Sequence, residues 1–112
     1  MPSDPPTDSL KDDAVDLKTQ HKKKEFYVLY LYVAGKSIRS RGAINQLRNI
    51  CHQYLKDRHE IRVIDIYEQP ELAEKDHVVA TPTLVKKLPP PLRKFIGDLS
   101  DHESILFGLD IW

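Results

Sequence analysis

Cysteine is nearly absent from this chain: Cys51 is the single one in 112 residues. One thiol cannot close an internal disulfide or build a cysteine-rich metal site, and it fits a reducing compartment. Net charge is missing as well, since seventeen Lys and Arg stand against seventeen Asp and Glu. That balance gives no sequence-independent pull toward nucleic acid or an anionic membrane. No apolar run reaches the roughly 18 to 20 residues of a membrane span, and the N-terminus lacks the hydrophobic stretch of a signal peptide, so a cytoplasmic location is expected by default. Glycine is scarce too. Gly35-Lys36-Ser37 lacks the upstream glycine of a phosphate-binding loop, and no Gly-x-Ser-x-Gly elbow orders a serine nucleophile.

What is present suits one domain with one modest core. Residues 1–24 hold three prolines, five Asp and five Lys with almost nothing apolar, which predicts a disordered, charged leader, with a short helix over 9–20 as the alternative. Composition then shifts, and residues 25–112 form the expected domain. Phe26 to Val33 is an unbroken apolar or aromatic run, the pattern of a strand buried on both faces. From Ser37 the period changes: Ile44, Leu47, Cys51, Tyr54 and Leu55 recur at intervals of three and four, a stripe on a helix of about five turns that Ser37 or Ser40 can cap. Ile61 to Tyr67 is β-branched and predicts a second strand, parallel to the first through a right-handed crossover.

The second half carries mixed signals. Pro70-Glu71-Leu72-Ala73-Glu74 reads as a short helix with proline at its first position. Ala80-Thr81-Pro82-Thr83-Leu84 enters a strand, and Pro89-Pro90-Pro91 forces a turn before Leu92 to Ile96, giving a hairpin. Ser100-Asp101-His102-Glu103 has capping-box spacing and predicts a closing helix. Yet Ile105 to Trp112 is apolar enough to be a strand, with Gly108 in its middle.

The helical reading yields the βαβαββα order of a thioredoxin-like fold. Redox chemistry in that fold needs a C-x-x-C at the start of the first helix, where the dipole lowers a thiol pKa. Gly35-Lys36-Ser37-Ile38-Arg39-Ser40 stands there without a thiol, so dithiol oxidoreductase activity is not expected, and Cys51 on the apolar stripe is read as a small buried hydrophobe. The histidines are scattered without metal-ligand spacing. No catalytic residue, cofactor or metal site is expected. Arg39, Arg41, Arg48, Arg62, Lys86, Lys87, Arg93 and Lys94 are candidates for a positive face that docks an acidic partner, against the plain alternative of a solvated surface.

Seven ordered blocks carry a resemblance. Tyr27 to Gly35, Val63 to Ile66, Pro70 to Asp76, Ala80 to Leu84, Leu88 to Lys94, Ile96 to Asp101 and Gly108-Leu109-Asp110 are similar to successive blocks of the KaiB family. The resemblance implies a non-enzymatic regulatory protein that binds the N-terminal ATPase ring of a KaiC-type protein, in circadian timing or a clock-derived stress response. KaiA or an output histidine kinase would be further partners; a sensor or adaptor module of a histidine kinase pathway is the alternative. It also implies two folds. One is a resting tetramer of βαββααβ subunits and the other a thioredoxin-like monomer, differing over residues 68–112, with Pro82 at the cis-proline position. Arg62 stands where the family has lysine, while Gly42 replaces the family's usual arginine, which puts contacts from the first helix in question. Arg62, Arg39, Arg41, Lys86 and Arg93 are the expected partner-binding residues. Pro82, Ser100, Gly108 and Asp110 are the expected structural and fold-switch positions. On this reading Ser100 caps the last helix, and Gly108→Ala is expected to favour the helical form.

Overall fold

The computed structural model describes residues 25–111, so the N-terminal leader expectations and Trp112 lie outside the described residues. The chain runs β1 (Tyr27–Val33), α1 (Ile38–Tyr54), β2 (His59–Asp65), α2 (Pro70–Lys75), β3 (Thr83–Leu88), β4 (Arg93–Ile96) and α3 (His102–Gly108). This is the thioredoxin-like βαβαββα order, and residues 102–108 are helix rather than strand. The four strands form one sheet in the order β2-β1-β3-β4. β1 pairs with β2 in parallel, and β3 with both β1 and β4 antiparallel.

Local chemistry fixes the ends of these elements. Ser37 caps α1, its hydroxyl accepting the Ser40 amide at 3.1 Å. Ser40 is turned inward instead, its hydroxyl donating to Ala34 O at 3.3 Å. β2 begins at His59 and stops at Asp65, two residues earlier at each end than its β-branched run suggests. The cause is Asp65, whose Oδ1 accepts the amides of Gly35 at 3.1 Å and Tyr67 at 2.9 Å and so turns the chain out of the sheet. Pro70 opens α2, where its missing N–H costs no helix bond. α3 is capped by Asp101, whose Oδ1 accepts the Ser104 amide at 3.2 Å. The expected Ser100 capping box is therefore corrected. Asp98 Oδ1 accepts both the Ser100 amide and its hydroxyl, leaving the neighbouring carboxylate to face the helix.

Because side chains alternate along a strand, β1 is buried on both faces. Tyr27, Leu29, Leu31 and Val33 meet Ala43, Leu47, Ile50, Cys51 and Leu55 along α1, with Ile105, Leu106 and Leu109 beside them. The apolar stripe on α1 is thus the main contact, widened by Ala43 and Ile50. On the other face Tyr32 packs with Ile64, Ala73 and Val85 beneath α2. Leu99 is fully buried in the main core, and its amide donates to Gln46 Oε1 on α1 at 3.1 Å.

Candidate partner-docking site

The predicted positive face divides into separate places. Arg39 and Arg41 lie exposed on α1. Arg62 is exposed on the edge strand β2, and Arg93 is exposed on β4 at the opposite edge of the sheet. Lys86 is not on any surface. It is 0% exposed, and this corrects its assignment as a partner-binding residue. Period-two alternation explains the difference: Lys86 and Lys87 are adjacent in one strand and point to opposite faces, so one of them enters the helical layer.

Cations do converge around Tyr30. The Arg62 guanidinium stands 5.5 Å and the Lys87 ammonium 5.0 Å from its ring centroid, both within cation–π range. Tyr30 and Arg62 are directly paired across β1 and β2, which explains why one aromatic can hold the guanidinium. Lys87 also donates to Asp76 Oδ1 at 2.5 Å, and the Tyr32 hydroxyl donates to Asp76 Oδ2. Burial alone would raise the Asp76 carboxyl. The Lys87 and Tyr32 hydrogen bonds and the Lys87 and Lys94 charges outweigh it and hold the group below its usual range. Burial, then the Asp76 hydrogen bond, pushes the Tyr32 hydroxyl well up. The network pins the end of α2 to the sheet and leaves Arg62 as the exposed cation beside Tyr30. Tyr30 and Asp76 were not singled out from the sequence. The Tyr30–Arg62 pairing requires the strand register, and nothing local marks Asp76.

The remaining expected positions are structural. Pro82 is buried after a cis Thr81–Pro82 bond, and its carbonyl accepts the Gly97 amide at 2.9 Å. Gly108 sits against Phe95: a Cβ there would lie 2.6 Å from the ring's Cζ and closer still to Cε2. A Cβ at 108 must therefore displace the Phe95 ring, a cost that opposes the helix-propensity gain expected of alanine there. Asp110 follows at φ 61°, with its carboxylate 3.8 Å from Lys86 Nζ. The Tyr27 hydroxyl, pushed up to about 12 chiefly by burial, donates to Leu109 O at 2.8 Å and Asp110 O at 3.2 Å.

No thiol lies at the start of α1; Cys51 is fully buried in its last turn, and burial pushes its thiol up to about 12, a poor nucleophile. Among the described residues, no group of three or more His, Cys, Asp or Glu is placed to hold a metal ion. No described helix is long and apolar enough to cross a membrane.

The KaiB domain model matches residues 30–111. Over 88 residues the chain is 52% identical to the circadian clock oscillator protein KaiB1 of Synechocystis, covering 79% of this chain and 84% of that one. It is 52% identical over 90 residues to the circadian clock oscillator protein KaiB of Nostoc punctiforme, covering 80% and 86%. Among solved structures, the N-terminal domain of SasA from Synechococcus elongatus superposes with a TM-score of 0.65 at 27% identity, covering 77% of this chain and 85% of that domain. The Drosophila thioredoxin Deadhead superposes with a TM-score of 0.62 at 17% identity, covering 85% and 90%, a likeness of fold alone.

Proposed function

The chain belongs to the KaiB family, and on that premise we propose that it is a non-enzymatic regulatory protein that docks onto the N-terminal ATPase ring of a KaiC-type protein. The observation that carries the reading is the exposed Arg62 guanidinium held over Tyr30 on a thioredoxin-like frame that has no thiol at its redox position. A cation held against an aromatic on an edge strand is pre-oriented and loses little freedom when a carboxylate of the partner meets it. KaiA and an output histidine kinase belong to the same proposal as later partners of the complex, and so do circadian timing and clock-derived stress adaptation as its setting. Self-association through a second arrangement of the chain's second half also remains part of the proposal.

Binding to a purified KaiC-type hexamer tests it. Arg62→Glu should weaken the complex about tenfold or more while leaving the circular dichroism spectrum and Tm unchanged. Wild-type affinity should fall as salt rises from about 0.05 to 0.5 M, because exposed charge pairs are screened over roughly 8 Å at physiological ionic strength. Undiminished binding of Arg62→Glu would move the contact elsewhere. Absence of any complex would remove the docking reading itself.

A second reading is an adaptor module that engages a histidine kinase pathway directly. Capture of such a kinase by the chain with no KaiC-type protein present would favour it.

A further inference from the structure

A lysine inside an apolar layer is tolerated in one protonation state and opposed in the other. Lys86 stands opposite Leu29 on β1 and Arg93 on β4, and its side chain shares the face of Leu84, beneath the helical layer. Its Nζ is closed to solvent and, among the described residues, has no hydrogen-bond partner. An ammonium there would carry three N–H donors, and the one ion-pair contact it makes among the described residues is the Asp110 carboxylate at 3.8 Å, beyond hydrogen-bond range. A neutral amine needs no counter-charge.

Among the described residues, the surrounding charges are few. Glu25 lies at the entry to β1, with the Tyr27 hydroxyl after it; Arg93 comes from β4, and Asp110, its side chain 48% exposed, follows α3. The buried side chains of α1 are Ser40, Ala43, Leu47, Ile50 and Cys51, none of them charged, and those of α3 are Ile105 and Leu106. Burial and Arg93 push the Lys86 amine below its ordinary 10.5, while Asp110 and Glu25 oppose them and do not win.

The turn after α3 closes this end of the domain. Leu109 is fully buried, and the Ile111 amide donates to Leu106 O at 3.0 Å. Asp110 holds a left-handed backbone, its amide donating to Phe107 O at 3.1 Å. The Tyr27 hydroxyl ties the carbonyls of Leu109 and Asp110 to β1.

We propose that Lys86 and the turn of residues 109–111 form a proton-dependent closure, in which the turn seats over a neutral Lys86 amine and loosens when that amine takes up a proton. Seating releases one proton from Nζ to solvent, and opening takes one back. The closed form binds fewer protons than the open form between the lowered value and 10.5. Closure therefore strengthens as pH rises through that window and gains nothing beyond it. The inference holds whether or not the domain docks onto an ATPase ring.

The test is NMR on the full chain from about pH 6 to 11, following the lysine carbon next to Nζ and the amide protection of Leu109 and Ile111, corrected for intrinsic exchange. The Lys86 resonance should titrate below 10.5, and protection of both amides should rise over the same interval. In Lys86→Met that rise should vanish, leaving both amides protected at every pH. Asp110→Asn keeps a residue that tolerates the left-handed backbone but removes the charge favouring the ammonium, so the midpoint should move lower. The proposal is overturned if Lys86 titrates at or above its ordinary value, or if the pH dependence at Leu109 and Ile111 survives in Lys86→Met. Should Lys86→Met fail to fold, the Lys86 titration in the wild-type chain decides alone.

Discussion

On the side of the sheet that faces α1 and α3, β1 meets a continuous apolar layer running from Ala43 through Leu55 and on to Leu109. On the opposite side, the six-residue α2 brings one buried position, Ala73, and Asp76 makes the tie to the sheet by accepting from Tyr32 and Lys87. The same strand thus supports two kinds of cover. Apolar packing is non-directional and sums over many atoms, so no single contact decides whether α1 stays. A short helix held mainly by one carboxylate, with a second bond from the Tyr32 hydroxyl to Leu72 O at 3.2 Å, depends on that carboxylate and on its charge. Sensitivity to pH and to point substitution should accordingly concentrate on the α2 side and at the ends of α3, not along α1.

The largest effect expected is Leu47→Ala, which removes a fully buried side chain from the main layer and should cost about 2–5 kcal/mol of global stability in urea unfolding. Asp76→Ala should cost about 1–3 kcal/mol, because the Lys87 ammonium loses its carboxylate while staying partly in water, and the Tyr32 hydroxyl is left with Leu72 O at 3.2 Å alone. Amide exchange should show its loss confined to residues near α2. The Asp76 carboxyl is depressed in the folded chain, so its contribution is fully present above the ordinary carboxylate pKa and disappears as pH falls through the lowered folded value. Wild type should lose α2 protection on acidification, and Asp76→Asn should lack that acid step. Equal global costs for Leu47→Ala and Asp76→Ala would end the contrast between the two faces.

The βαβ half was legible because its signals agree. Residues 26–33 are apolar without interruption, and the stripe through Leu47 and Cys51 has helical spacing. The bounds of β2 shifted, through a side-chain turn at Asp65 that β-propensity does not see, and β1 begins one residue later than its apolar run, leaving Phe26 exposed. The hairpin and α3 were also legible, α3 against a competing strand pattern; packing of Ile105, Leu106 and Leu109 into the main layer favours the helix. The docking candidates were harder to place. Arg62 stayed on the surface, but its aromatic support is a cross-strand relation. Lys86 was misplaced because basic residues were read by type, although two adjacent lysines in a strand cannot share a face.

Gly108→Ala sharpens the comparison at α3. Helix propensity favours alanine by about 1 kcal/mol. Against it, the new Cβ would lie 2.6 Å from Phe95 Cζ, and the ring packs against the main layer. Overfilling a packed site costs about 1–3 kcal/mol, so the net expectation is a destabilisation of about 1 kcal/mol, read in urea. Phe95→Leu should restore the balance by opening the space the Cβ needs. A stabilised single variant would show that the ring yields freely and that propensity governs this helix end.

The smallest effect separates Asp101 from Ser100 at the start of α3. Asp101 accepts from the Ser104 amide at 3.2 Å and from its hydroxyl at 2.7 Å, whereas Ser100 donates backward to Asp98. Asp101→Ala should therefore lower the protection of the α3 amides and bring Tm down modestly, and Ser100→Ala should change both by less. The Ser104 hydrogen bonds hold the Asp101 carboxyl below its usual range. Its contribution is thus present above the ordinary carboxylate pKa and is lost as pH falls through the folded value. Asp101→Asn keeps an acceptor for the Ser104 amide while removing the charge. At neutral pH it should preserve most of the cap, and on acidification it should show no further loss of α3 protection. If Ser100→Ala proves the more damaging of the two alanine variants, the serine is acting as the cap in solution and the carboxylate is incidental; if Asp101→Asn behaves like Asp101→Ala, the charge near the positive end of the helix, and not the hydrogen bond, is what holds α3 at its start.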